Sequence, residues 1–206
     1  MGRSEVKQIA DILHEMDMRA AMALNECRLD DALNIYHEIL KAQQQLKLEQ
    51  FSGHTLLNIA NIYMAMEAYS EALHYIDEAE KLKTIQRCDE DSANLQMFRS
   101  NCLYKMNQVS EAENILLKEL KKNKDRRACG KIQLMLYSYY MDAKKNSKAR
   151  SSIDSAINNF KTAGDNNELI RALNCRADYF TAVGQNVYAE LDRSAVNNLV
   201  KNTPGL

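Results

Sequence analysis

Apolar residues recur three and four positions apart through nearly the whole chain, as in Leu29, Ala32, Tyr36, in Tyr69, Ala72, Ile76 and in Val109, Ala112, Leu116. That spacing lays one apolar stripe along a helix. The stripes are interrupted near Glu26-Cys27-Arg28, Glu67-Ala68, Asn107-Gln108, Lys144-Lys145-Asn146 and Gly184-Gln185-Asn186. A second set of breaks falls at Gln50 to Gly53, Arg87 to Asp91, Asn123 to Asp125 and Gly164-Asp165. Together they predict helical hairpins joined in series, about 14 to 20 residues per helix and ten helices in all. Asp89, Asp91, Asp125 and Asp165 stand where a following helix starts, where a carboxylate accepts orphan backbone N–H groups and suits the positive dipole end.

The hairpins repeat. Leu29-Asp30-Asp31-Ala32, Tyr69-Ser70-Glu71-Ala72, Val109-Ser110-Glu111-Ala112, Asn146-Ser147-Lys148-Ala149 and Asn186-Val187-Tyr188-Ala189 place alanines 40, 40, 37 and 40 apart. Columns not used in that alignment agree with it. Nine residues before each alanine stand Ala23, Tyr63, Leu103, Tyr140 and Phe180; four after stand Tyr36, Ile76, Leu116, Ile153 and Arg193. Only Arg193 breaks the apolar rule. An alanine at this place lets two helix backbones approach closely while larger neighbours fill the flanking gaps. One hairpin cannot bury its apolar face alone, so neighbours must stack. The alternative is an irregular helical bundle whose alanines align by chance.

Composition narrows the classes. The 206 residues are 46% hydrophobic and 27% charged, with one proline and six glycines, as in an ordinary globular chain built from helix formers. With 27 basic and 28 acidic side chains the net charge is −1, so no positive field draws the protein to nucleic acid or anionic lipid. Neither is an expected partner. Met1 to Val6 lacks a signal-peptide apolar run, and no stretch reaches the about 18 apolar residues of a membrane span. A cytoplasmic location is expected. Cys27, Cys88, Cys102, Cys129 and Cys175 are odd in number and contain no CxxC pair, which fits reduced thiols packed in helices.

The repeat columns resemble the tetratricopeptide repeat (TPR) family, whose unit is two antiparallel helices. Repeat 2 carries the resemblance best, with Asn58-Ile59-Ala60-Asn61-Ile62-Tyr63, Ala68-Tyr69-Ser70-Glu71-Ala72-Leu73, Tyr75-Ile76 and Ala79. Repeat 5 follows with Leu173, Ala177, Phe180, Gly184 and Ala189. Repeats 1, 3 and 4 are weaker; Tyr137 replaces the small residue of the first helix in repeat 4, and the proline that often closes a unit is missing. The likeness covers about residues 13 to 201. A spacing near 40 exceeds the family's usual period of about 34 and resembles the extended version in bacterial peptide-pheromone receptors and kinesin light chains. The resemblance implies an all-α, right-handed α-α superhelix of about five hairpins, one solenoid domain over 1–206 with repeats near 5–50, 53–88, 89–124, 125–163 and 165–201. Because the repeats begin almost at once, no separate output domain is expected.

In this family one face of every first helix builds a concave wall that receives an extended or helical peptide. Counted from the alanine column, that wall presents His54, Leu57, Asn58, Asn61 and Met64, then Asn94, Met97, Asn101 and Tyr104. Repeat 4 adds Lys131, Leu134, Ser138 and Met141, and repeat 5 adds Arg171, Asn174, Asp178 and Thr181. Asn61 and Asn101 hold the same place in successive repeats, and a side-chain amide offers a peptide backbone both donor and acceptor. Met64, Met97 and Met141 suit varied apolar ligands or serve as core. Lys131 and Arg171 can anchor a carboxylate. The five-residue carboxylate clamp of the chaperone-binding members is not reproduced. The run Lys121-Lys122-Asn123-Lys124-Asp125-Arg126-Arg127 invites an acidic partner, or completes the negative end of a helix, with Asp89-Glu90-Asp91 offsetting its field.

Chemistry finds no foothold. His14, His37, His54 and His74 lack metal-ligand spacing, and there is no phosphate loop or nucleophile elbow. No cofactor, metal or catalytic residue is expected. The reading is a non-catalytic interaction scaffold that binds a peptide segment of a partner protein. The alternatives are a regulatory module answering a small signalling peptide, and an assembly element that forms a homodimer through the terminal helix, where Val187, Leu191, Val196, Leu199 and Val200 have no following cap helix.

Overall fold

The computed structural model describes residues 3–48, 51–82 and 88–202. Among them are ten helices and no strand: α1 (Arg3–Asn25), α2 (Leu29–Gln45), α3 (Ser52–Ala65), α4 (Tyr69–Glu80), α5 (Asp89–Lys105), α6 (Val109–Lys122), α7 (Arg126–Asp142), α8 (Asn146–Ala163), α9 (Asn166–Ala182) and α10 (Asn186–Asn202). Helix α1 packs on α2, α3 on α4, α7 on α8 and α9 on α10, as the hairpin pattern predicts. The chain divides into two compact units, Met1–Ala112 and Glu113–Leu206, and the division falls inside α6.

Every hairpin turns in the same way. Five residues before each column alanine, the backbone enters the left-handed region: φ is 57° at Cys27, 59° at Glu67, 64° at Asn107, 54° at Lys144 and 76° at Gly184. In each turn two hydrogen bonds close over the helix end. Arg28 N–H donates to Ala23 O at 2.8 Å and Cys27 N–H to Leu24 O at 3.0 Å, and the same pair recurs at Ala68/Glu67, Gln108/Asn107, Lys145/Lys144 and Gln185/Gly184. This is the Schellman closure, which occupies carbonyls that a helix end otherwise leaves orphaned. Only Gly184 reaches φ > 0 without a Cβ penalty; Cys27, Glu67 and Lys144 bear a cost of about 1 kcal/mol each, and Asn107 a smaller one because its short polar side chain tolerates this region. That cost, borne at equivalent places in successive hairpins, is consistent with the geometry of the hairpin, rather than the preference of the residue at the turn, setting the conformation.

The breaks between hairpins depart more from expectation. Helix α2 ends at Gln45, Lys47 turns with φ 55°, and α3 already begins at Ser52, so the break opens before the expected Gln50 to Gly53, and Gly53 is buried inside α3. Gln50 and Arg87 lie outside the described residues. Of the four aspartates placed at helix starts, Asp125 accepts from Ala128 N–H at 2.7 Å and Asp165 from Glu168 N–H at 3.1 Å. Asp89 and Asp91 do not cap; Cys88 holds that position without a side-chain hydrogen bond, and both carboxylates lie in the first turn of α5, where they still face the positive dipole end.

The core follows the repeat columns. Ala32, Ala72, Ala112, Ala149 and Ala189 are all fully buried, as are Ile76, Leu116 and Ile153 four residues on. Arg193, the outlier in that column, is exposed. In the first unit Leu56, Ala60, Ala72, Ile76, Leu95 and Cys102 form one cluster, and Ala20, Ala23, Tyr36, Ile39, Ile59 and Ile62 another. Ser100, where repeat 2 has Ala60, is buried and donates to Ala112 O at 2.9 Å, so its hydroxyl is satisfied without widening the α5–α6 approach. Tyr137, the bulky departure in repeat 4, is also accommodated: its ring is buried and its hydroxyl donates to Cys175 O at 3.0 Å on α9.

Candidate functional site

Within the first unit, α3 and α5 are packed neighbours and carry nine of the residues expected on the binding wall. Asn61 is exposed, and Asn58, Asn94 and Asn101 are half-buried. None of these four amides is hydrogen-bonded to another described residue, so each keeps its donor and acceptor capacity for a ligand. Met97 and Tyr104 are half-buried. Met64 is divided between roles, since it packs against the core cluster of α3 and α4 while retaining some exposure. His54 is exposed, with Nε2 3.9 Å from Asp91 Oδ1, and Leu57 belongs to the core.

In the second unit the expected residues lie on α7 and α9, each packed against α8. Ser138, Arg171 and Asn174 are exposed and Lys131 is half-buried. Ser138 donates to Met135 O at 2.9 Å, and Arg171 lies 3.5 Å from Glu168. Leu134, expected on the binding wall, is only 8% exposed and contributes packing rather than a free contact surface. The helical period that put it on the wall also puts it one turn from the buried Tyr137, and the interior claims it.

The basic run between α6 and α7 is largely tied down from within. Arg127 Nε lies 2.7 Å from Asp165 Oδ2, Lys122 Nζ 2.8 Å from the buried Glu119, and Arg126 donates to Asn159 Oδ1 at 3.4 Å. It serves the joint between helices first. Burial pushes the Cys102 thiol up to about 11 and raises Cys175 as well, which keeps both protonated at neutral pH and poor nucleophiles. No described group of three His, Cys, Asp or Glu side chains could hold a metal ion, and no described helix is long and apolar enough to cross a membrane.

Sequence reasoning missed one feature of the first unit. The early end of α2 leaves a cavity of about 860 Å³ between α1, α2 and α3, to which His54 and Asn58 also contribute. Its trace in the sequence is Gln43, a polar residue on the apolar stripe of α2, three residues before the break.

No family model matches the chain, and no curated protein matches it. Among solved structures, BtubC (BKLC) from P. vanneervenii is 14% identical with a TM-score of 0.72, covering 98% of this chain and 85% of its own. A Rap protein complexed with competence and sporulation factor is 11% identical with a TM-score of 0.74, over 93% of this chain and 58% of the Rap chain. This chain therefore spans little more than half of that relative. The nearly identical TPR-like repeats of a Podosopora anserina kinesin light chain are 15% identical with a TM-score of 0.64, over 94% and 97% of the two chains. At such identities the likeness carries architecture alone, and with the repeated hairpins, buried alanine column and common turn it establishes that this chain has the TPR-like helical-repeat fold.

Proposed function

We propose that this chain is a non-catalytic protein-interaction module that binds a polypeptide segment along the face of its first helices, with Asn61 and Asn101 gripping the main chain. One observation carries the reading: two amides at equivalent repeat positions, on packed helices of one unit, have no hydrogen-bond partner among the described residues. Amides left to water at matched places suit a ligand whose own polar groups repeat along its length, and a peptide backbone is such a ligand. Asn58, Asn94, Met97 and Tyr104 extend the same face; in the second unit, taken by itself, Lys131, Ser138, Arg171 and Asn174 lie on its first helices α7 and α9. The Rap structure, determined as a complex with competence and sporulation factor, supports the binding of a partner factor as a use of this fold.

The test is to select binders from a random peptide library on the wild-type protein, then measure them on the Asn61→Ala, Asn101→Ala double variant. Two lost backbone hydrogen bonds predict a fall in affinity of about 10- to 100-fold with unchanged helical circular dichroism and melting. Peptides that bind the variant as tightly would remove the proposed site. Small-angle scattering with and without such a peptide separates a passive scaffold from a switch, which would change its scattering profile.

Self-association is a second reading favoured by the outer face of α10, where Val187, Leu191 and Tyr188 are 74%, 62% and 55% exposed. Sedimentation equilibrium is expected to show a concentration-dependent dimer that Leu191→Arg abolishes. A monomer at every concentration excludes it.

A further inference from the structure

The cavity between α1, α2 and α3 is not part of the Asn61/Asn101 face, although Asn58 borders both. Its walls are mainly apolar, with Ile9, Leu13, Ile39 and Leu48 prominent, and its volume falls in the range of small-molecule sites. Two polar groups on these walls are out of keeping with an empty apolar void. Gln43 is 7% exposed, and its Oε1 is buried without a hydrogen-bond partner. Asp17, half-buried on α1, makes no ion pair with any described residue; the Tyr36 hydroxyl lies against it and is pushed up to about 12, first by burial and then by the Asp17 charge. A buried acceptor without a donor is rare in native structures, and a carboxylate without a cation beside an apolar wall is costly to desolvate. Both deficits have the same sign. Each lacks an N–H donor, and the carboxylate also lacks a positive charge.

We propose that this cavity is a binding site for an apolar primary amine, whose hydrocarbon body fills the space between α1, α2 and α3 and whose ammonium group is held by Asp17 and Gln43. A protonated amine supplies three donors and one charge, so one group answers the carboxylate and the orphan amide oxygen together. A fatty acid brings the wrong charge to Asp17. An alcohol can donate to one acceptor only and leaves the carboxylate unneutralised. A metal ion finds too few ligands, because no described group of three metal-binding side chains exists.

The probe is n-octylamine, titrated below its aggregation range and followed by the methyl resonances of Ile9 and Ile39, with n-octanol and octanoate as matched controls. Octylamine is expected to shift both residues and to bind at least about tenfold more tightly than octanol, a single charge-assisted contact being worth that much. Asp17→Asn, which keeps an acceptor for Tyr36, is expected to reduce octylamine to the octanol level and leave octanol unchanged. Gln43→Leu is expected to weaken octylamine and strengthen octanol. The Asn61→Ala, Asn101→Ala variant is expected to bind octylamine as the wild type does, which separates this site from the peptide face. Equal binding of octanol and octylamine, preference for octanoate, no effect of Asp17→Asn, loss of binding in the asparagine double variant, or methyl shifts that respond only to dilution, as for a second copy in the cavity, would each overturn the proposal.

Discussion

Asp192→Ala is expected to destabilise the second unit by about 2–3 kcal/mol, the cost of removing the buried carboxylate that accepts two charge-assisted bonds from Arg176 while Asp154 still offsets the remaining charge. Arg176 on α9 reaches Asp192 on α10 with two parallel bonds, Nε to Oδ2 at 2.8 Å and Nη2 to Oδ1 at 2.6 Å. Its remaining nitrogen, Nη1, donates to Asp154 Oδ1 on α8 at 2.7 Å, and Asp154 Oδ2 accepts from Arg150 Nε at 2.6 Å. The Arg150 guanidinium then lies 4.3 Å from the centroid of the Phe180 ring. One guanidinium thus ties three successive helices. Asp192 is 5% exposed, so water screens its bond to Arg176 poorly. Arg176 cannot escape by losing its proton, since the Asp192 hydrogen bond above all raises its pKa further from neutrality.

Urea denaturation followed by circular dichroism checks this prediction. A midpoint shift equivalent to less than about 1 kcal/mol would show that the pair is no better than a surface ion pair. The control is Arg176→Met with Asp192→Leu, which removes both charges and fills the space with apolar atoms. It is expected to recover most of the loss, because replacing a whole buried pair is often neutral or stabilising. The network then serves to specify which helix faces meet, more than to add net stability.

Phe160→Ala is expected to cost about 3–5 kcal/mol, through the lost transfer free energy of the ring and the cavity it leaves. Phe160 on α8 is fully buried, and its ring lies against Gly130 on α7. A Cβ built on Gly130 would fall 2.5 Å from Phe160 Cε1 and 2.8 Å from Cδ1 and Cζ, so the glycine is the recess that admits the ring. Gly130→Ala gains about 1 kcal/mol of helix propensity and meets an overpacking cost of about 1–3 kcal/mol, giving net destabilisation. Combining Gly130→Ala with Phe160→Leu is expected to cost less than the two changes separately, because the smaller side chain vacates the space the methyl needs. Additive losses in that denaturation cycle would mean the two residues do not share the recess.

Much of the fold was legible from spacing alone. Helical periodicity, the alanine column and five short polar interruptions are local signals, and each hairpin reproduces them within about 40 residues. The left-handed turn falls at one register position in all five hairpins although glycine occupies only Gly184. There the hairpin geometry overrode residue preference, and the register, not the residue type, was the readable signal. The binding face was legible as positions on helices. Whether each position is open was not: Asn61 is exposed, whereas Leu134, placed by the same counting, is buried.

What the chain determines by itself is therefore the repeating unit: two helices, an alanine where they approach, and a closed turn between them, all set by contacts a few residues apart. Tertiary structure decided the rest. The end of α2 at Gln45 and the cavity it leaves beside Asp17 depend on how three helices share one volume. The Arg176 network joins residues 16 and 22 positions apart, and the fit of Phe160 to Gly130 spans two helices. Periodicity records which side of a helix is buried and is blind to which atoms of another helix will meet it, because that depends on packing distances of tenths of an ångström rather than on residue order.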